Sequence, residues 1–211
     1  MKVAILSESP ADEAAIRILL SALLREAVES IPLRPRPGGW NAVVNAIHPT
    51  LMELYYSGTA SALVVVIDSD DSTIHRSEHE RAGSEVSNCR LCELRTRVKQ
   101  VRSQLRRQQG LQEVNIALAV AVPAIEGWYL CGRQCTEAGW LLKQREGVSA
   151  KAEIDRLKRI AYGADHAPLR LLTSRAIKHA AGLASDLSVL EQFFPESFGR
   201  FAADVRSWII R

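Results

Sequence analysis

Apolar positions along the chain fall into two kinds of run. Lys2–Leu6, Ala62–Ile67 and Val114–Val122 are short and nearly unbroken, whereas the stretches between them repeat apolar residues at three- and four-residue spacing. Unbroken runs of this length fit strands buried on both faces, as in a parallel sheet covered by helices. The clearest is Ser61-Ala-Leu-Val-Val-Val-Ile-Asp-Ser-Asp-Asp71, apolar from Ala62 to Ile67 and β-branched at its last three apolar positions. Ile16, Leu19, Leu20, Leu23 and Leu24 predict a helix from Asp12 through about Glu29, with Ser9 or Asp12 as N-cap and Pro10 in its first turn. Pro32, Pro35 and Pro37 exclude a central strand over Ile31–Gly39 and allow an edge strand or an extended connection.

A second helix is expected from Trp40 to about Tyr56, bent at Pro49 and closed by Ser57-Gly58. A third runs from about Cys89 to Gln109, with Gly110 as its cap, and a fourth opens at Glu126 after Pro123 ends the last strand. The order β-α-β-α-β-α-β-α is that of an α/β protein with a mostly parallel four-stranded sheet flanked by helices. From Gly139 onward the pattern is helical only, over Lys151–Ala161, Leu169–Leu183, Asp186–Phe194 and Phe198–Ile210. The expected organisation is therefore an α/β domain over 1–138 with a helical C-terminal extension, 139–211, packed on it.

Composition adds little to this picture. Hydrophobic residues at 47% and charged residues at 24% are those of an ordinary globular protein. No apolar run approaches the ~20 residues of a transmembrane helix, and the N-terminus turns acidic too early for a signal peptide. A cytoplasmic protein with no membrane association is expected. The net charge of +3 is unevenly spread: Arg76 to Arg107 holds nine Arg or Lys against four Glu. Such a helix can meet backbone phosphates, or can simply be a solvated face with interleaved acids.

The candidate chemistry lies at the strand ends. Glu8 follows the first strand, Asp68 and Asp70 the third, and Glu126 lies just past the fourth. In open α/β sheets the carboxyl ends of the strands face the binding crevice. If strand geometry persists, Asp68 and Asp70 point the same way. Each acid alone also has a plain structural reading, as a solvated turn or as a carboxylate favoured by a helix dipole. Together, without histidine, they select hard oxygen-seeking cations, Mg2+ or Mn2+, which activate water or clamp phosphoryl oxygens. Neither a Walker loop nor Gly-x-Gly-x-x-Gly is present.

A Glu after the first strand and Asp-x-Asp after a later hydrophobic strand resemble the Toprim domain of topoisomerases, bacterial primases and OLD-family nucleases. Pro123-Ala-Ile-Glu-Gly-Trp-Tyr-Leu130 is similar to the Pro-x-x-Glu-x-Trp-x-Leu segment of small stand-alone Toprim-like proteins, as is the stretch from Lys178-His-Ala-Ala-Gly through Phe193 and Phe198 to Trp208. The resemblance implies a Toprim-like, Rossmann-like fold. It implies Mg2+-dependent, nuclease-type phosphodiester hydrolysis on nucleic acid, DNA ahead of RNA. Glu8, Asp68 and Asp70 would hold metal, Glu8 or Glu126 would handle the proton, and Lys143 or Lys178 would supply a cation near the phosphate. It further implies a phage-defence or mobile-element setting, with a partner ATPase and room for a homo-oligomer. Toprim proteins usually carry Gly after the first Glu, where this chain has Ser9.

Two other readings compete. A Mn2+-dependent Asp-x-Asp glycosyl- or nucleotidyl-transferase accounts for Asp68 and Asp70 but gives Glu8 and Glu126 no role. A non-catalytic nucleic-acid-binding or regulatory module takes Ser9 as its support. A haloacid-dehalogenase phosphatase fits less well, because its Asp-x-Asp ends the first strand. Separately, His75-x3-His79-x9-Cys89-x2-Cys92 has zinc-ligand spacing, although Cys89 opens a predicted helix. The alternative is four unligated residues. Cys131 and Cys135 read as semi-buried residues one helical turn apart, and His48, His166 and His179 as structural. Trp128, Trp140, Phe193, Phe194, Phe198, Phe201 and Trp208 are expected to pack helices onto the sheet rather than stack bases.

Overall fold

The computed structural model describes residues 1–33, 38–81, 88–106, 109–164 and 167–209. Pro35, Pro37, Arg107, His166 and Ile210, named above, lie outside the described residues, as does 82–87. Four strands, β1 (Lys2–Leu6), β2 (Glu29–Ile31), β3 (Ala62–Asp68) and β4 (Asn115–Ala121), form one all-parallel sheet in the order β2-β1-β3-β4. Helices α1 (Pro10–Leu24), α2 (Gly39–Ser57) and α3 (Arg90–Gln104) connect them.

The continuous apolar runs work as their period of two requires. In β3, Ala62, Val64 and Val66 enter one core with α1, while Leu63, Val65 and Ile67 enter another with α2 and α3. The next even position, Asp68, therefore falls on the α1 side. Because α1 covers one face and α2 and α3 the other, β1 and β3 are the neighbouring strands from which the chain departs in opposite directions. Their carboxyl ends make the crevice in which open α/β sheets bind ligands.

The first helix stops earlier than its periodicity suggests. Arg25 turns left-handed (φ 55°) and its N–H caps Ser21 O, which leaves Glu29–Ile31 to pair with β1 as the edge strand ahead of the prolines. Pro49 lies inside α2, which runs on to Gly58 as its left-handed cap. After β4 come α4 (Ile125–Tyr129), α5 (Glu137–Arg145), α6 (Ala150–Tyr162), α7 (Leu169–Leu183), α8 (Ser188–Phe193), a π-helical turn (Pro195–Gly199) and α9 (Arg200–Arg206). Cys131 and Cys135 are not one helical turn apart: α4 ends at Tyr129, Gly132 (φ 74°) turns the chain, and the two cysteines face each other in an isolated β-bridge.

The helices after residue 139 share the α1-side core. α7 packs along α1 and α9 against β4, and Phe194, Phe198 and Phe201 are fully buried beside Trp128. Trp140 is buried in a smaller cluster with Ile74, Val122 and Ile154. No helix among the described residues is long and apolar enough to cross a membrane.

Candidate functional site

Three strand ends bring carboxylates together on the α1 side of the crevice. Glu8 follows β1, and its Oε1 accepts the backbone N–H of Asp68 at 3.2 Å. Asp68 ends β3 and its Oδ1 accepts the N–H of Ile125 at 2.9 Å, which ties β3 to the first turn of α4. Glu126, in that same turn, is only 3% exposed, and its Oε2 has no hydrogen-bond partner among the described residues. The turn is braced from below, where Ser69 N–H donates to Ala121 O (2.8 Å) and Ser69 Oγ to Pro123 O (3.1 Å).

A fourth carboxylate, Asp12, joins them from the first turn of α1. Ser9 caps that helix by accepting the N–H of Asp12 at 3.2 Å. Ser9 itself is extended (φ −146°, ψ 158°), so the turn after Glu8 makes no demand that only glycine could meet.

Burial raises all four acids, repulsion among them adds to the rise at Asp12 and Asp68, and the charge of Asp70 adds to it at Glu8. Burial first, then the charges of Glu126 and Glu8, push Asp12 up to about 7 against the help of Ser9 and Lys158. Asp68 is raised well above the usual carboxylate range by burial and by Glu126, Asp12 and Glu8. Burial also raises Glu8 and Glu126, the latter against Lys158 and the Tyr162 hydroxyl. Lys158 opposes this charge at all four acids, and Arg90 does so at Glu8. Burial lowers the pKa of Lys158 on α6, but Glu126, Asp68, Asp12 and Glu8 outweigh it and raise the value overall.

Asp70 stands apart. β3 ends at Asp68, and Asp70 adopts a left-handed backbone (φ 46°), so the two aspartates do not share a direction. Its carboxylate pairs with Arg90 at 2.8 Å, and Arg90, which stacks over the Trp40 ring at 4.9 Å, also donates to Asp68 O. The structure thus gathers Glu8, Asp68 and Glu126 with Asp12, and places Asp70 at the rim under an arginine.

Neither lysine named from the sequence reaches the acids. Lys143 is bound to Glu153 at 2.8 Å beside Arg156 (2.7 Å), and Lys178 is exposed on α7. Lys158 carries no sequence signal beyond its place on an amphipathic helix 32 residues after Glu126. Asp12 was readable only as a helix-opening acid, although its position at the start of the helix after β1 puts it at the same sheet edge.

The basic run on α3 is partly consumed inside the protein. Arg90 serves Asp70, Arg95 pairs with Glu80 at 2.8 Å, and Arg102 donates to Val114 O at 3.2 Å, which leaves Arg97 and Lys99 exposed on that helix. The isolated histidines have structural surroundings: His48 meets Gln104 at 3.1 Å, and His179 stacks on Tyr129 with its Nε2 3.1 Å from Ala161 O.

His75, His79, Cys89 and Cys92 form a second, separate group. One ligand atom from each lies within 4.8 Å of the others, and the four could hold a metal ion. Against known proteins, the chain matches no family model, no curated protein and no solved structure, so the geometry carries the functional argument.

Proposed function

We propose that the chain is a metal-dependent phosphodiesterase of nuclease type, acting on nucleic acid, with Mg2+ or Mn2+ at the strand-end carboxylates. The supporting observation is the convergence of Glu8, Asp12, Asp68 and Glu126, whose charges oppose one another and face Lys158, with Arg90 also near Glu8. The donor set fits such an ion: it is all oxygen, and it includes the buried Glu126 Oε2 that lacks any partner among the described residues. A divalent cation bound there supplies charge neutralisation and acidifies water for attack on a phosphodiester.

The protein's own groups then have distinct tasks. Asp68 is held on both sides, by the Glu8 contact at its N–H and by the Ile125 N–H at its carboxylate. Glu8 has a pKa raised by burial and is only half-buried, which suits a carboxylate that takes a proton from water. Lys158 brings positive charge to a cluster that would otherwise repel phosphate. Asp70 is held by Arg90, which weighs against an Asp-x-Asp pair gripping one Mn2+ as in the transferase reading. The Toprim resemblance supports Glu8, Asp68 and Glu126, whereas Asp70, its other expected ligand, is held by Arg90.

The test is incubation with plasmid, single-stranded DNA and RNA in Mg2+ or Mn2+. Cleavage is expected, with DNA preferred, and Glu8→Gln or Asp68→Asn should slow it by about 10²–10⁴-fold. Lys158→Ala should cost about 10²-fold, whereas Lys143→Ala should leave the rate unchanged because that lysine serves Glu153. Metal-dependent binding without cleavage would favour the binding module, and hydrolysis of a nucleotide sugar would favour the transferase.

A further inference from the structure

We propose that His75, His79, Cys89 and Cys92 bind a structural zinc ion that fastens the β3–α3 connection to the first turn of α3. The inference is independent of the phosphodiesterase reading. Zn–S and Zn–N bonds of ~2.3 and ~2.0 Å set the N···S edge of a tetrahedral site at ~3.5 Å. His75 Nδ1 lies 3.5 Å from Cys89 Sγ and 3.4 Å from Cys92 Sγ, so it already stands at that spacing from both sulfurs.

The outer contacts have the form that zinc histidines adopt. His75 Nε2 is 3.1 Å from Glu80 Oε1, and Glu80 is itself gripped by Arg95 and Arg200. A proton on Nε2, donated to that carboxylate, leaves the Nδ1 lone pair facing the two sulfurs. Arg95 also approaches Nε2, at 3.2 Å, but its closer partner is Glu80 at 2.8 Å. His79 Nδ1 is buried and has no hydrogen-bond partner among the described residues. None of the cysteines is in a disulfide.

Charge balance favours zinc as well. Two thiols lose their protons to solvent on binding, and two thiolates with two neutral imidazoles cancel the ion's charge. Soft sulfur ligands separate this site from the carboxylates, which take the harder cation. The ion would also bear on the crevice. Cys89 is the N-cap of α3, and Arg90, next in the chain and between the two cysteines, is the residue that holds Asp70 and Asp68 O. Zinc would fix the start of α3 and with it the arginine.

Metal analysis of protein purified without chelator should give one zinc per chain. Reconstitution with Co2+ should give thiolate-to-cobalt charge-transfer absorption. The Cys89→Ser/Cys92→Ser double variant should lose the metal, and Asp68→Asn should keep it. Should the double variant not fold, alkylation of the wild-type chain decides: Cys92 should resist labelling until a chelator is added. A wild-type protein that carries no zinc and takes up no Co2+ overturns the proposal. So does metal retained by the double variant, or labelling of Cys92 that ignores chelator.

Discussion

Asp68→Asn should raise the melting temperature of the metal-free protein at pH 8 while it slows metal-dependent hydrolysis by about 10²–10⁴-fold. The direction follows from which state holds the protons. Asp12 titrates near 3.8 when unfolded and at about 7 in the folded chain, so between those values the native state keeps a proton that the unfolded chain has released. Stability is then fully present below about pH 4 and declines as pH rises through about 7. Glu8, Asp68 and Glu126 are raised too and add the same sign. Glu137, pushed up to about 7 by burial, does likewise, and His75, lowered by burial, opposes it.

Those last two residues are common to both proteins, so the difference between wild-type and variant curves isolates the cluster. Asparagine keeps the acceptor for Ile125 N–H and is neutral at every pH, so Asp68 no longer adds to the repulsion within the cluster. The expected gain is about 1–2 kcal/mol, roughly 2–8 °C for a domain of this size. The variant should also rise less on acidification from pH 8 to pH 5. Mg2+ should raise the wild-type melting temperature at pH 8 and have little effect on Asp68→Asn. Parallel melting curves against pH for the two proteins would show that the acids are not coupled.

Much of this architecture was readable from residue pattern, and the reasons are local. A strand buried on both faces announces itself because six apolar residues in a row can satisfy no helix stripe, and the sheet splits Ala62–Ile67 evenly between two cores. Acids just after such strands fall at one sheet edge whenever the strands are parallel, which brings Glu8, Asp68 and Glu126 into one crevice. What failed was direction over short range and partnership over long range. The left-handed turn at Asp70 depends on Arg90, 20 residues away, and on the Pro123 carbonyl that accepts the Asp70 N–H. Lys158 belongs to a helix whose packing no strand pattern specifies. The histidine–cysteine string looked compromised because Cys89 opens a helix. As the N-cap, with extended backbone, it instead points its thiol off the helix end towards His75.

The largest loss of stability should come from Trp128→Ala. Trp128 is fully buried two residues after Glu126, and its ring meets the Phe198 edge at 5.2 Å and stacks on Phe201 at 6.4 Å. Its indole N–H donates to Ser197 Oγ at 3.1 Å, and that hydroxyl donates to Val120 O at 2.6 Å. One side chain therefore joins α4, the end of β4 and the aromatic residues of the last helices. Truncation leaves a cavity the surrounding rings cannot fill, at about 3–5 kcal/mol. For a domain of this size the melting point should drop by roughly 6–20 °C. Trp128→Phe keeps most of the packing and deprives Ser197 of its donor, so it should lose about 1–3 kcal/mol. Denaturant unfolding of the two variants and of Ser197→Ala separates packing from the hydrogen bond. A loss under about 1 kcal/mol for Trp128→Ala would mean that the C-terminal helices hold to the sheet without it. Because α4 carries both Trp128 and Glu126, loosening the tryptophan should also free the buried carboxylate. Trp128→Phe should then show a weaker dependence of stability on pH between 5 and 8 than the wild type, a change that loss of packing alone would not produce.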